Sequence, residues 1–515
     1  LSCDSEHMCD IDGPTVLVPD SDEPLVIEVD VPGAPGPSGP PNQLSIGTVS
    51  TGAVAVTITG TAPNQVLNLT LPDGGGPNTA AAAELGASLA AVRACGVTRR
   101  PCRVLDFANG VFFLRHSLST ASWAAIVAGL GATFSRATPA AFWGEGSDLQ
   151  AAGIDAPRFE YRFNSGIADG LLLEGARTNA IRNSILTGVA PGVIGSGGAW
   201  PTNWQNGGAS GLTRTMSAPY QYRGMTCIDV RYAGTATDTG GYPLIFEPPS
   251  VIAASSGQNW TMSAYLALVA GSMANITNFR FYIPPQPSGV AAASASIVPE
   301  LTSELKRFAF SFSFATAITH IQPRFAMNHA VGAAIDFTLR VGLPQMELGA
   351  FSSSPIATET GAVERGADHL QCPRPGLSPV SRMLTARAAG GKAGDQVLWQ
   401  ADDGSEANSH RLLRDATGML RYIVTTTGTP QANLALGSVA DGALFKVAVR
   451  AAPNDFAGSL NGGAVVTDTS GTLPSITTER WGGGAAPGVE WWGALASEVE
   501  FNATLANADL QALSL

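Results

Sequence analysis

Few residues in this chain have the types and spacing that chemistry needs. Glu174 and Arg177 stand three apart after the apolar run Gly170-Leu171-Leu172-Leu173, which sets an acid beside a cationic partner. A general acid also needs a cleft and a second group facing it, and nothing near these two residues supplies either. With Asn179, the pair is expected to lock a strand exit, through a structural salt bridge or a set of backbone contacts. Asp402-Asp403-Gly404-Ser405-Glu406 holds the raw material for a glycosidase carboxylate pair or a Ca²⁺ loop. It lacks the EF-hand pattern, and glycosidase carboxylates must flank a bond at a set separation, so a solvated acidic hairpin is expected. The six histidines have no partners at ligand spacing, and G-x-S-x-G, H-E-x-x-H and the phosphate loop are absent. Gly482-Gly483-Gly484 lacks the Lys-Ser/Thr that would follow in a phosphate loop. No catalytic residue, metal or cofactor is expected.

Binding is easier to motivate. Sugars offer an apolar ring face to aromatic side chains and hydroxyls to Asp, Asn and Arg. Trp399, Asp402, Asp403, Asn408 and Arg411 cluster in sequence, and Trp491-Trp492 follows near the C-terminus. Adjacent tryptophans on a strand point to opposite faces, so only one of that pair can share a given side, and core packing or a trimer contact competes for each. Trp200, Trp204 and Asn206 in a Gly-rich loop form a second, weaker set. The cysteines are equally open. Cys3 and Cys9 flank His7, and Cys95 and Cys102 close a short loop, so local disulfides, free thiols or a shared metal site all fit.

These residues need elements to hold them. At 515 residues the chain is too long for one core, and its 45% hydrophobic fraction is ample for folding. Only 14% of residues are charged while Gly and Pro are plentiful, which points to a β-rich protein with a sparsely charged surface. The net charge of −12 argues against nucleic acid and anionic membranes as partners. No run of about 18 apolar residues exists to span a bilayer, and the polar first residues do not read as a signal peptide.

Along the chain, residues 1–30 hold two short apolar runs that need a partner to gain burial. In residues 31–43, Gly33, Gly36 and Gly39 open three Gly-X-Y triplets, too short a run to hold a triple helix unaided. Residues 44–78 alternate as a small β-hairpin module. Residues 79–102 are helix-prone, with Leu85, Leu89 and Val92 on one face, a stripe suited to a three-helix bundle around an axis. Residues 103–184 read as a β-rich shoulder with one helix near 122–131. Alternating strands then predict a jelly-roll sandwich over 185–369, for example Trp260, Met262, Ala264, Leu266 and Leu268 on one face. A second sandwich is expected over 370–515, carrying an Asn461-Gly462 hairpin turn and ending in a short helix over 505–513.

Three stretches resemble parts of tailed-bacteriophage fibre and spike proteins. LSIGTVSTGAVAVTITGTAPNQVLNLTLP, after a Gly-X-Y run, is similar to their anchor-proximal modules. GLLLEGARTN followed by Arg182-Asn183-Ser184 looks like the opening of their head-spike and tail-fibre sandwich domain. Gln345-Met346-Glu347-Leu348-Gly349, Ser354-Pro355, Thr358 and Glu364-Arg365-Gly366-Ala367-Asp368 resemble its close, with Met346 for the common Leu and no aromatic after Ser354. The C-terminal part is similar to concanavalin-like or laminin-G-like domains. The resemblance implies a mainly β homotrimer with an N-terminal virion anchor, a collagen-like clasp, a helical stalk and two outward β-sandwiches. It implies assembly in the host cytoplasm, a place on the phage particle surface, other virion proteins as partners, and adhesion to a bacterial surface glycan or other receptor. A glycan-degrading tailspike, a purely structural connector or decoration fibre, and a bacterial adhesin are the alternatives.

Overall fold

The computed structural model describes the strands within residues 43–71, and residues 102–515 apart from 115–122, 209–210, 377–378 and 392–393. The clasp glycines Gly33, Gly36 and Gly39, the stalk residues Leu85, Leu89 and Val92, and Cys3, Cys9 and Cys95 lie outside the described residues. Two compact units divide the chain, residues 1–75 and 76–515. In the first, Gln43–Thr51 runs parallel to Asn64–Leu71, which pairs antiparallel with Ala55–Thr59. The expected hairpin is therefore present, with one further strand beside it.

The second unit is mainly β. In its central part an eight-stranded sheet faces a five-stranded one. The larger is built around Met225–Thr235, Asn259–Ser272, Lys306–Ser313 and Ala334–Leu348, all antiparallel. The smaller is built around Gly240–Ile245, Arg324–His329 and Ile276–Ile283. One core joins them: Val230, Tyr232, Met262 and Phe337 from the first meet Leu244, Phe279, Phe281 and Phe325 from the second. Each such side chain removed from water contributes roughly 1.5–3 kcal/mol. Period two is the cause, since alternate residues of each strand share a face. The strand Asn259–Ser272 departs from simple alternation. Tyr265 and Ala267, on its other face, are buried against Trp143, Met225 and Leu343 in a separate cluster.

The distal part also has two sheets around one core. A nine-stranded sheet carries Val380–Ala388, Leu444–Ala452, Asp455–Leu460 and Gly493–Phe501, and a seven-stranded sheet carries Gln396–Asp402, Ser409–Arg414, Met419–Thr426, Thr429–Ser438 and Thr478–Trp481. Asn461 and Gly462 take φ of 48° and 69° in the turn after Leu460, the left-handed pair that such a hairpin requires. The closing helix is Asn507–Leu513, and the helix expected near 122–131 spans Trp123–Leu130. No helix among the described residues is long and apolar enough to cross a membrane.

The segment 103–184, expected as a shoulder of its own, is instead built into the distal sandwich. Arg103–Asp106 and Ala168–Leu173 both pair with Gly493–Phe501, and Thr133–Ser135 pairs with His369–Pro373. Leu105, Phe134, Leu171 and Leu173 share the distal core with Leu384, Trp399 and Phe445. Strand order in space is free of strand order in sequence, so an apolar run such as Leu171-Leu172-Leu173 does not announce its partner. Gly170 marks the crossing: its φ is +101°, and a Cβ there would lie 2.3 Å from the carbonyl oxygen of Leu495. The central sandwich is thus an insertion in the distal one. The chain leaves after Leu173 and returns near Asp368 through a two-stranded neck of Arg177–Asn179 and Val363–Arg365.

Candidate functional site

The expected sugar-binding cluster of the distal sandwich is not assembled as a surface. Trp399 is 1% exposed, and its indole N–H donates to Glu479 at 2.7 Å with the Arg382 guanidinium over its ring. Asp402 is fully buried and pairs with Arg480 at 2.9 Å. Trp491 and Trp492, just before the strand Gly493–Phe501, are also buried, but against different neighbours. Trp491 packs on Phe445 in the core, whereas Trp492 meets Phe351 of the central domain edge-on. An interior with both sheet faces covered takes the largest apolar side chains, and that outcome prevails here. Asp403 and Asn408 remain at the surface, where they close the hairpin: Asp403 accepts from Ser405 and from the Asn408 amide. Arg411 is half-buried and pairs with Glu406 at 3.1 Å. In the central domain Trp204 is buried and donates to the Asn183 carbonyl, Trp200 packs on the core, and Asn206 accepts from Arg214.

Glu479, Glu498 and Glu500 bring three buried carboxylates together, a set that could hold a cation. Arginines already fill that role. Arg103 grips Glu479 with two bonds of 2.8 Å and reaches Glu498 and Glu500, Arg382 bridges all three, and Arg374 holds Glu500 at 2.6 Å. Burial alone would raise the Glu479 carboxyl, but Arg103 and Arg382 outweigh it and hold it well below the usual range. No local motif signals this cluster, because its members come from four separate strands and from Arg374 just after the strand His369–Pro373. Among the described cysteines Cys102, Cys227 and Cys372 are free thiols, and burial pushes them up to about 11, 12 and 12.

Glu174 and Asn179 are both buried at the neck, and Glu174 pairs with arginines other than Arg177. Glu174 accepts from the Ser354 N–H at 2.9 Å and hydroxyl at 2.6 Å, and pairs with Arg158 at 2.9 Å and Arg365 at 3.2 Å. Asn179 donates to the Pro344 and Ile356 carbonyls and accepts from the Ile181 and Met346 N–H groups. Arg177 does not pair with Glu174. Its guanidinium sits against both Phe351 and Trp492, 4.8 and 4.4 Å from their ring centroids.

Beside the neck lies a cleft of about 280 Å³, lined in part by Trp143, Glu160, Phe163, Tyr265, Arg307 and Arg387. Its aromatic rings pack on one another, Trp143 to Phe163 at 4.4 Å and Tyr265 to Phe163 at 5.4 Å, and Trp143 and Tyr265 are buried. They offer no free face to a sugar. Glu160 accepts the Trp143 N–H at 3.2 Å, and burial pushes its carboxyl up to about 8, with Arg158 opposing and Glu174 reinforcing the rise. Glu174 is the opposite case: Arg365 and Arg158 overcome its burial and hold it at about 2.

The outer face of the five-stranded sheet is a better platform. Its inward residues Phe279, Phe281, Ile283 and Phe325 are fully buried, so their neighbours Asn278, Arg280, Tyr282 and Arg324 point outward and are half-buried. Register places Tyr282 opposite Arg324, Arg280 opposite Ala326, and Asn278 opposite Asn328. On the next strand an irregularity between Gly241 and Leu244 brings Tyr242 onto the same face. The Arg324 guanidinium lies 3.7 Å from the Tyr242 ring centroid and 5.2 Å from that of Tyr282, and the two tyrosine rings are 5.6 Å apart. Each such contact is worth about 0.5–2 kcal/mol and fixes the rings in place. The Nε atoms of Arg280 and Arg324 and the Asn278 Oδ1 are buried without hydrogen-bond partners. Sequence reasoning missed this face. Alternation in Thr277–Tyr282 was readable, but only the register brings Tyr242, Arg324 and Tyr282 together.

No family model matches the chain, and no curated protein matches it. Among solved structures, the carbohydrate-binding module CBM40 of Ruminococcus gnavus IT-sialidase, bound to α2,6-sialyllactose, is 15% identical with a TM-score of 0.24, over 27% of this chain and 84% of that one. Domain 4 of the Geobacillus stearothermophilus arabinanase AbnA, in complex with arabinotriose, is 12% identical at 0.24, covering 32% and 81%. Trypanosoma rangeli sialidase is 10% identical at 0.24, covering 59% and 66%. Likeness at this level carries no argument about what this chain binds.

Proposed function

We propose that this chain is a receptor-binding fibre or spike protein of a tailed bacteriophage, a homotrimer that adheres to a bacterial surface glycan without cleaving it. The observation that carries the binding part is the Tyr242–Arg324–Tyr282 face. It pairs flat aromatic rings with unspent hydrogen-bonding groups, the combination that a saccharide surface matches. The fibre part rests on the resemblance of the segments before residue 72 and around Glu174 and Asp368 to phage fibre modules. Three copies on one particle raise apparent affinity through effective concentration, so a shallow face suffices. The test is adsorption of the purified protein to host-range panels of bacteria and their extracted polysaccharides, with mass measurement in solution. Binding by a trimer that Tyr242→Ala weakens at least tenfold is expected. A monomer, or a Tyr242→Ala variant that adsorbs undiminished, would overturn the reading.

One observation favours a second reading, glycan hydrolysis at the cleft beside the neck. Glu160 keeps its proton at neutral pH while Glu174 is ionised, and carboxyl groups driven apart in this way serve as acid and base in glycosidases. Against it, both Glu174 oxygens are already engaged by Ser354, Arg158 and Arg365. Release of reducing ends by the native protein but not by Glu160→Gln would favour hydrolysis over binding.

A further inference from the structure

Arg280 and Arg324 stand apart from every other arginine among the described residues. Each of the others makes a side-chain hydrogen bond or an ion pair, with a carboxylate in most cases, whereas these two make neither. They lie on one sheet face, on neighbouring strands, with Arg280 one register step from the Arg324–Tyr282 pair. In a chain of net charge −12 the absence of a nearby acid is not for want of acids. Buried guanidinium nitrogens left without partners cost free energy, and a bound anion with planar oxygens would recover it.

Two neighbours narrow the anion's class. Tyr242 and Tyr282 flank Arg324 and suit the apolar face of a pyranose ring better than a bare inorganic ion. Asn278 Oδ1, two residues from Arg280 on the same face, is an acceptor in need of a donor, which a sugar hydroxyl supplies and a phosphate dianion does not. Between them Ala326 is small and leaves the centre of the face low. We infer that this face binds an acidic saccharide, with a uronic-acid-type carboxylate on Arg280 and Arg324, a ring against Tyr242 or Tyr282, and a hydroxyl on Asn278. The inference rests on the glycan-binding reading above and names its ligand class.

The test titrates the full chain with polygalacturonate, hyaluronate and alginate, with methyl-esterified polygalacturonate and dextran as uncharged counterparts, and with polyglutamate and a single-stranded oligonucleotide as other polyanions. At least one carboxylated polysaccharide is expected to bind tenfold or more tighter than the uncharged ones, weakening between 50 and 500 mM salt. The double variant Arg280→Gln/Arg324→Gln is expected to lose at least tenfold, Arg280→Lys/Arg324→Lys to keep part of the affinity, and Asn278→Ala to lose several-fold. Equal affinity for acid and ester would sink the acidic class while leaving glycan binding intact. Binding to none of the polysaccharides would sink both, and tighter binding to polyglutamate or the oligonucleotide would replace the ligand class. A double Gln variant that changes oligomeric state but not affinity would reassign the face to contact between copies.

Discussion

Asp368 and Glu174 clasp each other across the neck in both directions: the Asp368 N–H donates to the Glu174 carbonyl at 2.9 Å, and the Glu174 N–H donates to the Asp368 carboxylate at 3.0 Å. The chain leaves the distal sandwich at one residue and returns at the other. Arg158 completes the closure by reaching both carboxylates, at 2.9 Å to Glu174 and 2.5 Å to Asp368, and Arg136 adds a bond of 2.9 Å to Asp368. All four side chains are buried.

Removing one cation from such a set leaves charge buried without its partner. Arg158→Met is therefore expected to destabilise the second unit by about 3–5 kcal/mol, more than an ordinary core substitution of similar volume. Urea unfolding of the variant followed by tryptophan fluorescence measures it. A loss under about 1 kcal/mol would mean that Arg365 and Arg136 neutralise the pair without help.

Stability should vary with pH in a direction set by opposed groups. Glu160 is raised to about 8, so the folded state holds a proton that the unfolded state releases near 4.5, and stability falls as pH rises from about 4.5 to 8. Glu174, held at about 2, contributes stability above 4.5 that is lost as pH falls toward 2. His410, buried and unable to charge until about 3, adds to the acid loss below about 6.5. Maximum stability is expected near pH 5–6, and Glu160→Gln should flatten the alkaline limb and gain on the order of 3 kcal/mol at pH 8. Thermal melts of native and variant protein from pH 3 to 9 decide it; superimposable alkaline limbs would refute the assignment.

The three buried glutamates of the distal sandwich should be indifferent to metal. Arg103, Arg374 and Arg382 supply the positive charge that a cation would bring, and Trp399 and Trp481 donate their indole N–H groups to Glu479 and Glu498. Prolonged dialysis against EDTA is expected to leave the melting temperature unchanged within about 1 °C, whereas Arg382→Met is expected to cost about 3–5 kcal/mol. A chelator-induced drop restored by Ca²⁺ or Zn²⁺ would show that an ion shares the cluster.

The difference between what was legible in the sequence and what was not follows the range of the forces involved. Phe308, Phe310 and Phe312 alternate within one strand, and Asn461-Gly462 encodes its own turn, so elements of this kind were readable locally. Pairing between distant strands was not. Nothing in Leu171-Leu172-Leu173 says that it lies beside Gly493–Phe501 rather than opening the central domain. Trp399 shows the same limit for sites. A tryptophan next to aspartates reads equally as a sugar platform or as a buried donor to a carboxylate. Only the arrival of Glu479 from a strand 80 residues away settles it. For Glu174 and Asn179 the sequence says only that polar residues at a strand exit must find partners, and it does not say that these are Ser354, Arg158, Arg365, Pro344 and Ile356.

Arg177 ties the two sandwiches by stacking rather than by charge. Its guanidinium approaches both Phe351 of the central domain and Trp492, which immediately precedes the distal strand Gly493–Phe501, and it also donates to the Leu348 carbonyl. Gly349 makes room for it, since a Cβ there would stand 1.4 Å from Arg177 Nη1. A planar, delocalised guanidinium can face one ring, approach a second set at 78° to it and still donate to a carbonyl; a lysine ammonium does not reproduce that set, so Arg177→Lys should behave more like Arg177→Ala than like the native protein. Both are expected to lose about 1–2 kcal/mol, and Gly349→Ala at least as much because it displaces the guanidinium and strains a φ of +145°. The diagnostic readout is a double-mutant cycle of Arg177→Lys with Trp492→Leu in equilibrium unfolding. A coupling of about 1 kcal/mol would place the lost stability in the stack, whereas additive losses would show that Arg177 acts only through its hydrogen bond to Leu348.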